Sequence, residues 1–375
     1  SVTIPDVVVI GGVTYKVTAV GDKAFYDNDY ITSVALGANI DTIGAFAFDG
    51  CYRLTTVTNG SNVKYVREYA FESCPFLSTL QGFDNVEVIE RYGFEACSAL
   101  TTFNFSSELK SIGNAAFMST GLTGDVVLPE GLTRVESAAF RNSKISSISV
   151  PASCREFFDD LIYTSQLETI TVHEDNPNYK AVDNVLYNKA MTKLIRIATK
   201  KTGTFVLPDS VNEVADYGAE KCYLSKIVFN NKITRVPQSF MQNALELSEI
   251  VFGSKITKIE NYAFSNCQKL TTLTIPGTVK TICGHAFAFN NFTSVTLGEG
   301  VETIYCRAFK DSTVEAFYMP KSVSSIAAID EYNSWEPAFT KEVTFYFADT
   351  EEEATAKTNW HEGWAGTKAT FNYAA

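Results

Sequence analysis

The sequence lacks the features of several large protein classes. No apolar run approaches the roughly 18 residues of a membrane-spanning helix, so no membrane span is expected in this chain. The motifs HExxH, GxSxG and GxGxxG and the P-loop are absent, which argues against metalloproteases, serine hydrolases and nucleotide-binding enzymes. The 3 histidines are too scattered for a typical zinc site, and no Cys-x-x-Cys pair occurs. We therefore expect no enzymatic activity, no cofactor and no metal.

Basic residues are outnumbered. The chain has 31 Lys and Arg against 43 Asp and Glu, and its net charge is -12. This excess disfavours nucleic acid and anionic membranes as partners, because both are negatively charged. The first residues, Ser1 to Pro5, show neither the basic nor the apolar part of a signal peptide. The chain is therefore expected to be cytoplasmic or to have lost a targeting segment.

What the sequence has is a repeat. The motif IGNAAF, which ends at Phe117, returns along most of the chain. A fixed period between about 20 and 50 residues is typical of stacked supersecondary units, each of which contacts only its neighbours. The sequence therefore predicts a solenoid. The phenylalanines of the first half stand 23 residues apart, at Phe25, Phe48, Phe71, Phe94, Phe117 and Phe140.

Each repeat carries a strand signal and a turn signal. Apolar residues recur 6, 9 and 11 positions after the Phe, as in Leu100, Phe103 and Phe105 after Phe94. This near-alternation predicts a short strand. The Gly-x-x-Ala-Phe section predicts a turn into a short helical or 3₁₀ piece. Strands stacked at one period pair in parallel, so we predict an α/β-type solenoid of about 23 residues per coil with one long sheet and a phenylalanine core.

The repeat is interrupted once and capped at both ends. No repeat Phe occurs between Phe140 and Phe240, although Ala219 takes the Phe position in VADYGAEKC. We expect that junction to be loosely packed and to act as a hinge. Repeats resume at Phe240 with spacings of 24, 23 and 22 residues. The predicted segments are an N-terminal cap hairpin (1–20), repeats (21–150), an irregular coil with an inserted hairpin (151–210), repeats (211–325) and a C-terminal cap (326–375) in which Trp360 and Trp364 cover the last coil.

Cysteines occupy one column of the repeat. Most of the 8 lie three residues after the Phe position. Neighbouring coils lie about 4.8 Å apart, within the range that a disulfide tolerates. Buried free thiols, which pack like small apolar residues, and disulfides are therefore both open. The column contains Cys51, Cys74, Cys97, Cys222 and Cys267.

The candidate binding residues lie on the strands and in the insert. Outward strand positions carry small uncharged polar groups, which either reflect β-propensity and cross-strand pairing or form a recognition surface for a glycan or protein. Tyrosines of the insert are candidate anchors. The stretch 174–176 is either a polar turn or a calcium site. The candidate residues are Thr56, Thr58, Thr102, Asn104, Thr272, Thr274, Tyr163, Tyr179 and Tyr187.

The stretches TIGAFAFDGCYRLTTV, SIGNAAF, KIENYAFSNCQKLTTLTIPGTVKTI and VLPEGLTRV resemble the BspA-type leucine-rich repeats of bacterial cell-surface proteins. The resemblance covers about 20–150 and 205–325. It implies a right-handed leucine-rich repeat solenoid, a cell-surface or extracellular location in a bacterium, often one of the Bacteroidetes, and an adhesive role without defined catalytic residues.

From this resemblance we expect a monomeric, non-enzymatic surface or secreted adhesin whose partner is an extracellular protein or glycan. Two alternatives stay open. The chain is a structural spacer that displays another module, or it is a polysaccharide-processing enzyme, for which no convincing carboxylate pair is found in the sequence.

Overall fold

A computed structural model of the chain describes residues 1–157, 164, 166–328, 336–357, 359, 360 and 363–375. They form a parallel-strand β-solenoid of about 15 turns with about 23 residues per turn. The predicted repeat architecture is therefore confirmed, while the handedness stays a prediction. The backbone divides into two compact units, Ser1–Lys189 (unit 1) and Ala190–Ala375 (unit 2).

Unit 1 carries two columns of parallel strands. The first column, called the strand face, contains the sheets β1-β5-β7-β9 and β12-β14-β16, and the second contains the sheet β4-β6-β8-β10-β11-β13-β15. The strands of the strand face are β1 (Val2–Thr3), β5 (Ser33–Ala35), β7 (Thr56–Thr58), β9 (Thr79–Leu80), β12 (Thr123–Val127), β14 (Lys144–Val150) and β16 (Thr169–Val172). Those of the second column are β4 (Ala19–Val20), β6 (Thr42–Ile43), β8 (Tyr65–Val66), β10 (Val88–Ile89), β11 (Ser111–Ile112), β13 (Arg134–Val135) and β15 (Glu156–Phe157). Two antiparallel hairpins pair β2 (Val7–Ile10) with β3 (Val13–Lys16) and β17 (Tyr179–Val182) with β18 (Val185–Asn188).

Unit 2 has the same two columns. Its strand face contains the sheets β20-β22-β24 and β26-β28-β30-β32-β33, and its second column contains the pair β19-β21 and the sheet β23-β25-β27-β29-β31. The strands of the strand face are β20 (Thr202–Val206), β22 (Tyr223–Val228), β24 (Glu249–Val251), β26 (Thr272–Ile275), β28 (Asn291–Leu297), β30 (Thr313–Met319), β32 (Val343–Phe347) and β33 (Ala369–Asn372). The others are β19 (Lys193–Ile197), β21 (Glu213–Val214), β23 (Arg235–Val236), β25 (Lys258–Ile259), β27 (Thr281–Ile282), β29 (Thr303–Tyr305) and β31 (Ser325–Ala328). Among the described residues the single helix is α1 (Glu351–Thr355), which begins with a capping box of Thr350 and Glu353.

The predicted helical or 3₁₀ piece before each Phe is not formed. In the turn of Phe71, Tyr69 and Ser73 have φ of 58° and 52°, and left-handed residues interrupt a right-handed helix. The N–H of Phe71 donates to Gly93 in the next turn (2.9 Å), whereas the N–H of Glu72 donates to Tyr69 in its own turn (3.2 Å). This alternation forms a third ladder of stacked turns, so the α/β-type description is not confirmed.

The repeated phenylalanines form the core of unit 1, as predicted. From Phe48 to Phe140 each ring has 0% exposure. Neighbouring rings stack with centroids 5.2 to 5.7 Å apart. Full burial of such a side chain contributes roughly 1.5–3 kcal/mol, so this ring column is the main apolar support of the turns. Its members are Phe25, Phe48, Phe71, Phe94, Phe117 and Phe140.

The assignment of Phe240 to the Phe position is wrong. Met241 occupies that position, since the left-handed residues that flank it by two positions are Ser239 (φ 51°) and Asn243 (φ 61°). The N–H of Ala219 accordingly donates to the carbonyl of Phe240 (2.9 Å), as the N–H groups at the other Phe positions donate to the residue before the next one. Phe240 thus lies one position early, where an Ala usually stands, and it is also fully buried.

Ala219 is fully buried although no ring stands at its Phe position, and the looser packing expected there stays a prediction. Arg196, one turn earlier, is only 3% exposed. Its guanidinium donates to the carbonyls of Tyr217 (2.6 Å) and Glu220 (3.1 Å). Backbone carbonyls on both sides of Ala219 therefore hold this buried cation. The hinge stays a prediction.

The 8 cysteines are free and buried. In their column the side chain donates a hydrogen bond to a carbonyl at the Phe position, as Cys74 does to Phe48 (3.0 Å) and Cys97 to Phe71 (3.0 Å). Thr120, at the same position of its turn, donates instead to the carbonyl of Phe117 in its own turn (2.8 Å). Both thiols and hydroxyls therefore find a carbonyl acceptor in this column. Burial raises the pKa of the Cys97 thiol to about 12.

The two ends differ. The predicted N-terminal hairpin is formed, but all of its strand residues are exposed, including Val9 and Ile10. It joins the solenoid at its base, where Asp6 accepts hydrogen bonds from Ala38 N–H (2.6 Å) and the Asn39 side-chain amide (3.0 Å). Because its strands are exposed on both faces, the expected covering of the first coil is not seen. At the other end Trp364 packs on Phe345 with centroids 4.9 Å apart. The boundaries of the five predicted segments stay predictions.

Candidate functional site

Thr56 and Thr58 lie on the strand face of unit 1, as predicted. They belong to β7, and Thr56 stands between Ser33 and Thr79 on the neighbouring strands. Both side chains are half-buried. The hydroxyl before them, on Thr55, donates to the carbonyl of Thr32 in the preceding turn (2.9 Å). These outward positions therefore form an uncharged polar surface on paired strands.

Thr102 and Asn104 are exposed on the same face, but the strand predicted around them is not formed. Residues 101–105 belong to no sheet. In the part of the chain that the structure describes, they have one backbone hydrogen bond on this face, from Thr123 N–H to the carbonyl of Thr101 (3.1 Å). The inward residues are two large rings, Phe103 and Phe105, which remain half-buried. Their centroids lie 5.2 Å apart, so two half-buried rings occupy the positions that Leu273 and Ile275 hold, nearly fully buried, in the turn of Phe264.

The interrupted ladder leaves a cleft of about 300 Å³ in unit 1. Sequence reasoning identified Thr102 and Asn104 and missed the other wall. Gly82, with φ of 86°, was the available signal, because a left-handed glycine ends the strand that precedes it. The residues that line the cleft are Ser78, Thr79, Leu80, Phe83, Asp84, Thr102, Phe103 and Asn104.

One polar contact spans the cleft. The side-chain amide of Asn104 donates to Asp84 Oδ1 at 2.7 Å, and both residues are exposed. Since a carboxylate has a second oxygen and an amide has a carbonyl and a second N–H, the pair holds its geometry and still offers donors and acceptors to a ligand.

Thr272 and Thr274 lie on β26 of unit 2 and are exposed. Thr274 pairs with Thr296, which pairs with Tyr318 and then Tyr346. These two tyrosines are exposed and stacked, with centroids 5.1 Å apart. Sequence reasoning missed them, although they occupy outward positions in the alternating runs TVEAFYM and VTFYF.

A wider groove of about 850 Å³ adjoins this tyrosine pair in unit 2. Where β30 meets β32 the register shifts between Val314 and Phe317, and such bulges redirect side chains. The groove is lined by Thr313, Val314, Glu315, Glu342, Val343, Thr344, Lys368 and Thr370.

The insert tyrosines do not form an exposed set. Tyr187 is 2% exposed, and burial raises the pKa of its hydroxyl to about 12, so its predicted role as an exposed anchor is wrong. Its neighbours Val185 and Leu186 on β18 are buried too, so both faces of this strand are covered. Tyr179 is half-buried and accepts a hydrogen bond from Phe157 N–H at 2.9 Å. Tyr163 lies outside the described residues.

The stretch 174–176 has a structural explanation. The amide of Asn176 is buried and donates to the carbonyls of Pro151 (2.7 Å) and Cys154 (2.8 Å). Glu174 accepts the Lys189 ammonium on its backbone carbonyl (2.6 Å). The polar-turn interpretation fits these contacts. Within the described ranges no group of three His, Cys, Asp or Glu side chains is arranged to hold a metal ion.

A column of carboxylates follows the ring column in unit 1. Burial, together with the charges of Glu72 and Asp27, raises the pKa of Asp49 to about 6. Burial and Glu95 raise the pKa of Glu72 to about 7, and Glu72 and Glu95 share a hydrogen bond. These groups resist ionisation because they are half-buried and stacked.

The profile of the BspA type leucine rich repeat region matches this chain in 6 copies, over residues 18–124, 87–206 and 212–330. The chain belongs to the BspA-type leucine-rich repeat family. Proteins of this family are found at the cell surface, and no curated protein matches the chain.

Two solved structures resemble it over nearly their whole length. One is a leucine-rich cell surface protein from Faecalibacterium prausnitzii, with 25% identity, a TM-score of 0.74, and coverage of 96% of this chain and 90% of that one. The other is the pneumococcal vaccine antigen PcpA, with 21% identity, a TM-score of 0.71, and coverage of 100% and 89%. The latter shows the fold alone. Among the described residues no helix is long and apolar enough to cross a membrane.

Proposed function

We propose that this BspA-type protein is a non-enzymatic adhesin, exported to the bacterial surface or secreted, whose strand face binds an extracellular protein or glycan. The main support for this proposal is the residue composition of the strand face. Its outward positions at Thr56, Thr102, Thr272 and Ser294 are small, polar and uncharged.

Such a face suits recognition for a physical reason. A hydroxyl both donates and accepts hydrogen bonds, and short side chains lose little entropy when a ligand orders them. Paired strands hold these groups at fixed spacing, as Thr272 opposite Ser294 and Thr274 opposite Thr296 show. Repeat proteins generally use extended surfaces of this kind for binding. We further expect the right-handed coil of the family and a monomer.

The test is direct binding to immobilised oligosaccharides and matrix proteins at physiological salt. We expect a saturable hit that weakens when Thr102 and Thr272 are replaced by Lys, since a bulky charge then stands on the strand face. Thr133→Lys with Thr257→Lys is the matched control, because these threonines are also exposed but precede the second-column strands. A hit that the control pair abolishes and the first pair spares would overturn the assignment.

A clean negative result across glycans and proteins would favour the spacer alternative instead. In that case the solenoid serves to display another module, and the hydroxyls of the strand face reflect β-propensity alone.

A further inference from the structure

We propose that the cleft between β9 and residues 101–105 is a binding site for one neutral sugar residue of a glycan. The proposal rests on the adhesin function and gives it a ligand class and a location. The cleft encloses about 300 Å³, the lower end of the usual range for small-molecule pockets.

The site exists because one rung of the parallel ladder is open. One turn earlier, Thr79 and Gln81 N–H groups donate to Thr55 (3.2 Å) and Val57 (2.9 Å). Their counterparts 23 residues later are Thr102 and Asn104. Among the described residues, none accepts a hydrogen bond from the backbone N–H of either. The cleft wall therefore presents backbone donors whose counterparts in the preceding rung are used.

The opening is local, which restricts what enters it. Ala99 N–H still donates to Pro75 (3.0 Å) before the cleft, and Lys110 N–H to Glu87 (2.8 Å) after it. The rings of Phe71 and Phe94 keep a centroid distance of 5.3 Å. An inserted peptide strand would need about 4.8 Å of additional separation, so pairing of a partner strand inside the ladder does not fit. A single sugar ring that enters from the outer side of the strand face does fit.

The lining matches the two kinds of surface on a pyranose. Phe103 and Leu80 are half-buried and provide apolar contact for ring C–H groups. Asp84, Asn104 and the hydroxyls of Ser78, Thr79 and Thr102 provide donors and acceptors for sugar hydroxyls.

The charge of the cleft selects among sugars. Asp84 is the single charged side chain of the lining, and a carboxylate accepts strong hydrogen bonds from hydroxyls but repels other carboxylates. Neutral hexoses and N-acetylhexosamines therefore fit, whereas sialylated or sulfated glycans are disfavoured. The net charge of -12 acts in the same direction at longer range.

The experiment uses the full chain with isotope labelling. The probes are neutral oligosaccharides ending in glucose, galactose, mannose or N-acetylhexosamine, and their sialylated counterparts. We expect at least one neutral probe to shift the amide resonances of Thr102 and Asn104 and the side-chain amide of Asn104. Sialylation should weaken that binding at least ten-fold.

The decisive variant is Asp84→Asn, which keeps an acceptor for Asn104 but removes the charge. We expect about ten-fold weaker binding, the value of one charge-assisted hydrogen bond. Asp125→Asn is the matched control and should leave affinity within two-fold, since Asp125 lies on the same face and bonds Ser147 (2.6 Å) outside the cleft. Neutral-glycan binding that Asp84→Asn leaves intact would overturn the site and keep the adhesin. With immobilised matrix proteins included as further probes, binding to proteins alone would also overturn the site and keep the adhesin, and no binding to any glycan or matrix protein would overturn both proposals.

Discussion

Two turns built on one template show how inward side chains set the outer surface. The turn of Phe264 places Leu273 and Ile275 inward, both nearly fully buried, and its strand β26 pairs with β28 over four residues. The turn of Phe94 places Phe103 and Phe105 at the equivalent positions, and no strand forms. Rings at these positions do not by themselves prevent a strand, since Phe345 and Phe347 are buried in β32. Phe103 and Phe105 are only half-buried, and we infer that rings which the interior does not enclose hold the chain away from its neighbours. The hydroxyl-bearing outer positions are alike, but one turn has a cleft beside them.

Both turns depend on the ring column, and breaking it should have the largest effect. Phe117 is fully buried, and its ring centroid lies 5.0 Å from that of Phe103 and 5.4 Å from that of Phe105. We expect Phe117→Ala to lower the free energy of unfolding by about 3–5 kcal/mol, measured by chemical denaturation. The exposed Thr102→Ala should change it by less than about 0.5 kcal/mol. Equal midpoints for the two variants would contradict the core assignment.

The turn at Ala219 tests whether a ring is required at all. Because Arg196 and Phe240 occupy the surrounding interior, we expect Ala219→Phe to overpack it and to lower the free energy of unfolding by about 1–3 kcal/mol. Thermal and chemical denaturation would measure the change. A stabilised variant would instead show that the turn contains a void, as the sequence suggested.

The difference between the two template turns can be removed by mutation. Phe103→Leu combined with Phe105→Ile gives the turn of Phe94 the inward residues of the turn of Phe264. We expect residues 101–105 to pair with β12, so that amide exchange slows across both segments, with a stability change below about 1.5 kcal/mol. Unchanged exchange in a folded variant would show that ring size does not open the ladder.

The smallest expected effect concerns the carboxylates that directly follow the ring column in unit 1. The turns of Phe264 and Phe287 carry Ser265 and Ala288 where the unit 1 turns carry Glu72 and Asp49. Since the native pKa of Glu72 is raised to about 7 and that of Asp49 to about 6, the folded chain binds more protons than the unfolded chain below these values. Stability should therefore fall as pH rises from about 4.5 to 7.

These groups are only half-buried, so solvent screens their charges and the change should stay near about 1 kcal/mol or below. Urea midpoints measured across this pH range for the native sequence and Glu72→Gln give the test. The variant should show a flatter profile, and an identical profile would contradict the role of this column.

The fold was predictable because its determinant is a spacing. The 23-residue interval from Phe25 to Phe140 fixes the turns whatever lies between them. The position of Met241 was not predictable from the Ala-Phe motif, since backbone left-handedness at Ser239 and Asn243, rather than residue identity, sets the register.

The candidate site was predictable only in part. Alternation identified Thr102 and Asn104 as outward residues, because strand geometry makes sides alternate. It did not identify Asp84, which reaches the cleft through the chain reversal at Gly82. Nor did it show that Tyr187 is buried, since alternation predicts one open face whereas both faces of β18 are covered.

Amide hydrogen exchange at four positions of the native protein tests most directly whether the ladder is open. Thr79 and Gln81 donate to the preceding turn and should exchange slowly. Thr102 and Asn104, their counterparts one turn later, should exchange at rates close to those of an unstructured peptide. Equal protection at all four amides would contradict the open rung, and with it the sugar cleft.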